Sequence, residues 1–111
     1  MAFEIVLAPE AVTALKKLAV PERRGVTEVL EVHLTHEPTK VSKSGIKRLR
    51  GLSQPQYRLR VGDIRVFYDV TETQVQVLAI VTKAEAQGWL DAQGTPATPS
   101  QQVGPSGGNQ G

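Results

Sequence analysis

The chain has 111 residues, 40% hydrophobic and 22% charged, with a formal net charge of +2 and no cysteine. That allows one small domain with a modest core and excludes disulfides, thiol catalysis and cysteine-based metal sites. No apolar run approaches a membrane span, and Glu4 stands where a signal peptide carries positive charge, so a cytoplasmic protein is the simplest expectation.

Residues 3–7 (FEIVL) read as a first strand. Pro9 and Glu10 suit the opening turn of a helix, where proline is tolerated and an acid meets the positive end of the helix dipole. Ala11, Val12, Leu15 and Leu18 then share one face. Val20-Pro21 ends that helix, and a second runs from 21 to about 34 with Val26, Val29, Leu30 and His33 on its apolar stripe. The two form a helical hairpin. Residues 35–44 are polar and aperiodic, a loop, and residues 46–52 (IKRLRGL) hold either a turn or the start of a strand.

Tyr57-Arg58-Leu59-Arg60-Val61 and Ile64-Arg65-Val66-Phe67-Tyr68 alternate with period two around Gly62-Asp63. Such a pattern predicts two strands joined by a two-residue type II′ turn. Val61 then faces Ile64, and Arg60 faces Arg65. Arg58, Arg60, Arg65 and Phe67 share one face; Tyr57, Leu59, Val61, Ile64, Val66 and Tyr68 share the other. Like charges opposed across two strands destabilise them, which points to an anion on that face. Residues 75–81 (VQVLAIV) form the most apolar strand. If Val70 pairs with Val75, Tyr68 faces Val77 and Arg65 lies opposite Ile80. Residues 83–92 form a short last helix carrying Trp89 and Leu90. From Gln93 onward Gly, Pro, Ser, Thr and Gln dominate, a composition that cannot offset its ordering entropy. The expected division is a domain over 1–92 and a disordered tail over 93–111.

The fold class expected is α+β: an N-terminal strand and a two-helix hairpin packed on a small antiparallel sheet, in the order β-α-α-β-β-β with a short C-terminal helix. Charge is segregated along it. Residues 40–65 hold eight Lys or Arg against one acid, Asp63, for +7; the rest carries −5, which returns the net +2. A localised field of this sign attracts polyanions.

The helical hairpin, Lys47-Arg48-Leu49-Arg50-Gly51-Leu52, Tyr57-Arg58-Leu59-Arg60, Ile64-Arg65-Val66-Phe67-Tyr68 and the apolar strand ending at Val81 together resemble the RelE/ParE superfamily of type II toxins, from about residue 3 to 90. The resemblance implies a toxin neutralised by a cognate antitoxin protein that wraps around it. RelE-like members cleave messenger RNA in the ribosomal A site without a metal or cofactor; ParE-like members inhibit DNA gyrase. The RelE-like reaction needs a base, a charge stabiliser and an acid for the leaving oxygen. By position, Arg58, Arg60, Arg65 and Lys83 match the family's catalytic cations, with Arg65 on the phosphate. Lys47, Arg48, Arg50, Phe67 and Trp89 are the candidates for holding substrate. The chain departs from the family where it carries Arg58 and Arg60 in place of lysines, because arginine keeps its proton in proteins. Trp89 stands near a stacking tyrosine of the family and cannot exchange a proton. The arginine-lined hairpin favours a ribosome-associated mRNA endonuclease as the expected function; the missing lysines favour the alternative, a ParE-like gyrase inhibitor or a non-catalytic antitoxin-binding relative.

The remaining residues each carry a plainer reading. His33 belongs to the core edge, and with His36 it falls short of a metal ligand set. Tyr57 and Tyr68 pack the core. Phe67 either stacks a base or lies under the last helix. Trp89 seals the core in preference to forming a recognition platform. Lys40, Lys43, Lys47, Arg48 and Arg50 form a solvated run or clamp a backbone.

Overall fold

The computed structural model describes residues 2–42 and 45–97. Strand β1 (Glu4–Leu7) leads into α1 (Pro9–Lys17) and α2 (Val20–Val29), which continues as a π-helical turn over Leu30–Leu34. There follow β2 (Ile46–Arg48), β3 (Leu52–Gln54), β4 (Tyr57–Val61), β5 (Ile64–Val70), β6 (Gln74–Thr82), α3 (Lys83–Gln93) and β7 (Thr95–Pro96). The main sheet runs β1-β6-β5-β4-β2, and β3 pairs with β7 apart from it. The class is the α+β expected, with helices α1 and α2 against one face of the sheet.

The β4–β5 hairpin has the predicted register. Tyr57 pairs with Tyr68, Arg58 with Phe67, Leu59 with Val66, Arg60 with Arg65 and Val61 with Ile64. Gly62 has φ 58°, a conformation that costs an L side chain steric strain and glycine none. One face of this hairpin supplies Leu59, Ile64, Val66 and Tyr68 to the core, where they meet Ala11, Val26, Leu30, Leu34, Val75, Val77 and Ile80. Each fully buried aliphatic side chain of this kind contributes about 1.5–3 kcal/mol. Tyr68 stacks on Tyr57 with ring centroids 5.5 Å apart, and its buried hydroxyl donates to Pro38 O at 2.6 Å. Burial, with Tyr57 as a lesser cause, raises the Tyr68 pKa above its ordinary value.

Four local features depart from the sequence expectation. The sheet is mixed, because β1 runs parallel to β6. In that direction Ile5 and Leu7 pack beneath the helices, and the chain passes through Ala8, whose N–H donates to Val77 O (2.8 Å), straight into α1. In the β5–β6 pair the register holds from Val70–Val75 to Tyr68–Val77 and then shifts, so Phe67 meets Ala79 and Arg65 meets Val81 in place of Ile80. Leu78 is the extra residue of this bulge; it turns Ile80 toward the core.

In the second helix the stripe ends on Leu34, which is buried, while His33 is exposed. A π-helical turn has more residues per turn than an α-helix, and it swings position 34 inward in place of 33. In α1, Val12 is exposed and Ala14 packs against the core instead. The strand that was one of two readings for residues 46–52 is present as β2, paired with β4.

The first residues of the segment expected as tail carry secondary structure. Gln93 closes α3, Thr95 and Pro96 pair with β3, and Ala97 N–H donates to Gly51 O at 3.0 Å. The remainder of that expectation, 98–111, lies outside the described residues. Tyr68→Phe leaves the buried Pro38 carbonyl without its donor; urea denaturation should show a loss of about 1–2 kcal/mol, and a variant as stable as the parent would refute this role.

Candidate functional site

Alternation carries Arg58, Arg60, Arg65, Phe67 and Asp69 to the sheet face away from α1 and α2. Adjacent strands complete that face. Lys47 of β2 is in register with Arg58, so it joins the arginines, whereas Arg48 falls on the other side, its guanidinium 5.1 Å from the Tyr57 ring centre. One row across the sheet therefore reads Lys47, Arg58, Phe67, Ala79, and the next reads Arg60, Arg65, Val81.

The three arginines have different surroundings. Arg60 is exposed and Arg58 half-buried, but Arg65 is only 7% exposed. The Arg65 guanidinium folds back along its own hairpin, and Nη1 donates to Gly62 O at 2.9 Å and to Ile64 O at 3.2 Å. It thereby stitches the turn that brings Arg60 opposite it. The Arg58 pKa is lowered, first by burial and then by the Arg60 and Arg65 charges. It stays protonated; burial is the larger cause, and the lesser one is a crowding of cations that an anion would relieve. Among the described residues the Arg58 Nε is buried without a hydrogen-bond partner.

Helix α3 closes the other end of this face. Its start is fixed by a capping box in which Thr82 Oγ1 accepts from Glu85 N–H (3.3 Å) while the Glu85 carboxylate accepts from Thr82 N–H (3.0 Å). The Thr82 N–H and the Thr82 hydroxyl (3.1 Å) both donate to the Glu85 carboxylate and hold it below its ordinary pKa. Trp89 of α3 stacks on Phe67, centroids 5.1 Å apart and planes 7° from parallel, and its Nε1–H donates to Glu10 at 3.2 Å. Phe67 is fully buried, so it is a cover contact and not a base-stacking platform. Trp89 seals it, the reading the sequence favoured. The face expected to be partly open is thus open over Arg58, Arg60 and Lys47 and shut over Phe67.

Lys83 is exposed at the first position of α3, and its N–H donates to Asp63 O at 2.8 Å. It stands by the hairpin turn, on the opposite side of the arginines from Lys47. Arg50 is exposed in the turn between β2 and β3, outside the sheet. Lys40 lies apart, paired with Glu37 at 3.6 Å; Lys43 lies outside the described residues. His33 and His36 are both exposed, which overturns the core-edge expectation for His33. No group of three or more His, Cys, Asp or Glu able to hold a metal occurs among the described residues.

Sequence reasoning missed a polar lock at the start of β4. Asp69 accepts from Gln54 Nε2 (2.6 Å) and from Gln56 N–H (2.8 Å), and Gln56 Oε1 accepts from Val70 N–H (2.9 Å). This lock fixes the approach to Tyr57 and Arg58. Its only sequence signal was one acid, Asp69, at the position where alternation puts a third residue beside Arg65 and Phe67.

No protein-family model matches the chain, and a comparison with curated proteins finds no match. Solved structures do match. In the archaeal RelE–RelB complex from Pyrococcus horikoshii OT3 the aligned chain is 27% identical, with 75% of this chain and 97% of that one covered and a TM-score of 0.63. The RelBE2 toxin–antitoxin complex of Mycobacterium tuberculosis aligns at 24% identity over 74% and 99% of the two chains, TM-score 0.60. A free double arginine-to-alanine variant of the E. coli toxin RelE aligns at 23% over 82% and 93%, TM-score 0.62. The chain has the RelE-like toxin fold.

Arg65→Ala removes a nearly buried donor from two turn carbonyls and should lower stability by about 1–3 kcal/mol. Arg60→Ala, at an exposed position, should stay within about 0.5 kcal/mol. Parallel thermal melts check this; equal melting temperatures would mean that Arg65 does not hold the turn.

Proposed function

We propose that this chain is the toxin of a type II toxin–antitoxin pair, and that its arginine face holds messenger RNA in the ribosomal A site and promotes its cleavage without a metal. The observation that carries the reading is the convergence of Arg58, Arg60 and Arg65 on one sheet face, with the Arg58 pKa lowered by burial and by the other two charges. A nucleic-acid backbone is the partner that such a cluster suits: guanidinium groups offer paired N–H donors to phosphate oxygens.

The likeness to RelE of the P. horikoshii RelE–RelB complex supports a toxin role and a cognate antitoxin. The toxin unit of this reading runs to 97, so that it includes the β3–β7 pair. No helix among the described residues is long and apolar enough to cross a membrane, and the proposed site of action is the cytoplasm.

In this mechanism the RNA 2′-oxygen attacks the adjacent phosphorus while the bond to the 5′-oxygen breaks. Arg58 and Arg60 stabilise the charge that builds on the phosphoryl oxygens. Arg65 acts from beneath. Its bonds to Gly62 O and Ile64 O fix the hairpin and add positive potential to the patch. A second reading, binding without catalysis, is favoured by the same burial of Arg65 and by the closure of Phe67 under Trp89; it covers a gyrase inhibitor and an antitoxin-binding relative alike.

Two experiments separate these readings. Induced expression should arrest translation, and primer extension should find new messenger ends within coding sequence. Arg58→Ala should reduce cleavage by about 100-fold or more, as loss of an oxyanion donor does. Intact messenger with DNA-damage signalling would instead select the gyrase reading. Binding of the purified chain to single-stranded RNA should weaken with salt, log affinity falling with log salt by about 0.7 per phosphate contacted. A flat response would remove this face as an RNA site.

A further inference from the structure

The arginine face raises a chemical problem that its guanidinium groups cannot solve. Cleavage by the 2′-oxygen forms one bond to phosphorus and breaks the bond to the 5′-oxygen. The departing 5′-oxygen must acquire a proton, and arginine does not give one up. On this face and its borders the described residues offer two lysines. Lys83 stands at the start of α3, beyond β5 and β6 from Arg58. Lys47 is immediate: it is the cross-strand partner of Arg58, and directly opposed residues place their Cβ atoms about 5 Å apart.

The setting of Lys47 suits a donor. It is exposed on the outer strand β2, and among the described residues no acid pairs with its ammonium. The cations facing it are Arg58 and Arg60 of β4, with Arg65 of β5 behind them. The acid on the same face, Asp69, is held by Gln54 and Gln56. A phosphate gripped by Arg58 is therefore within reach of a lysine that carries three N–H donors on a flexible stem.

Resting on the endonuclease reading above, we propose that Lys47 is the general acid of the cleavage, the group that protonates the departing 5′-oxygen. The step balances. The 2′-oxygen bonds to phosphorus and its proton passes to water. The bond from phosphorus to the 5′-oxygen breaks, and that oxygen takes a proton from Lys47 Nζ. The products are a 2′,3′-cyclic phosphate and a 5′-hydroxyl, and the Lys47 amine regains its proton from solvent. No oxidant, metal or co-substrate is required.

The test is single-turnover cleavage on programmed ribosomes, with an ordinary messenger and with one whose scissile 5′-oxygen is replaced by sulfur. A thiolate departs without a proton. Lys47→Arg keeps the charge but withholds the proton, so it should slow cleavage of the ordinary messenger by about 100-fold or more and cleave the sulfur-substituted one at the parent rate. A merely structural role would slow both messengers equally, and a merely electrostatic one, which arginine preserves, would slow neither; either result overturns the proposal. Sulfur rescue of Lys83→Arg but not of Lys47→Arg would move the role to Lys83 and overturn it too. If the parent chain itself leaves both messengers intact, the endonuclease reading falls first and this inference with it.

Discussion

The two-residue turn at Gly62-Asp63 is the constraint on which the rest of the molecule depends. Its positive φ at Gly62 sets the pairing of β4 with β5, and pairing sets which side every later side chain occupies. A slip of one residue would send Leu59, Ile64, Val66 and Tyr68 outward and bring the arginines into the core. The core and the cationic face are thus two sides of one register. Arg65 reinforces it from within the hairpin, since its guanidinium satisfies two carbonyls at the turn. That contact also explains how Arg60 and Arg65 can sit opposite each other: one of the two charges is already engaged by backbone dipoles.

Much of this was legible in the sequence because short-range pattern decides it. The hairpin alternates for five residues on each side of its turn, and both helices open with proline and an acid. The RelE-like order of elements follows from these. Two of the departures arise where one extra residue is absorbed locally. At Leu78 the strand bulges and the partner of Arg65 changes from Ile80 to Val81. At Leu30–Leu34 the helix widens and the apolar stripe passes from His33 to Leu34. Period counting assumes a constant rise and turn, so it cannot register either event.

The site was legible in parts for a related reason. Alternation correctly grouped Arg58, Arg60 and Arg65, but it carries no information on what lies above them. The burial of Phe67 depends on Trp89, 22 positions later, and on Glu10 near the other end of the chain. The placement of Lys47 depends on β2, only three residues long, a length too short to announce itself. Similarly, β7 is two residues long, embedded in a Gly- and Pro-rich context that reads as unstructured; only its bonds to β3 reveal it.

The order β1-β6-β5-β4-β2 leaves two rims, and both are short: four residues at β1 and three at β2. One rim bears Glu4 and the other Lys47 and Arg48. Rims that are brief and charged make poor templates for a further strand of another copy. The longest strands are interior: β5 lies between β4 and β6, and β6 pairs with β5 and, from Gln74 to Val77, with β1. Short, charged rims of this kind disfavour edge-to-edge pairing, and they do so without closing the sheet into a barrel.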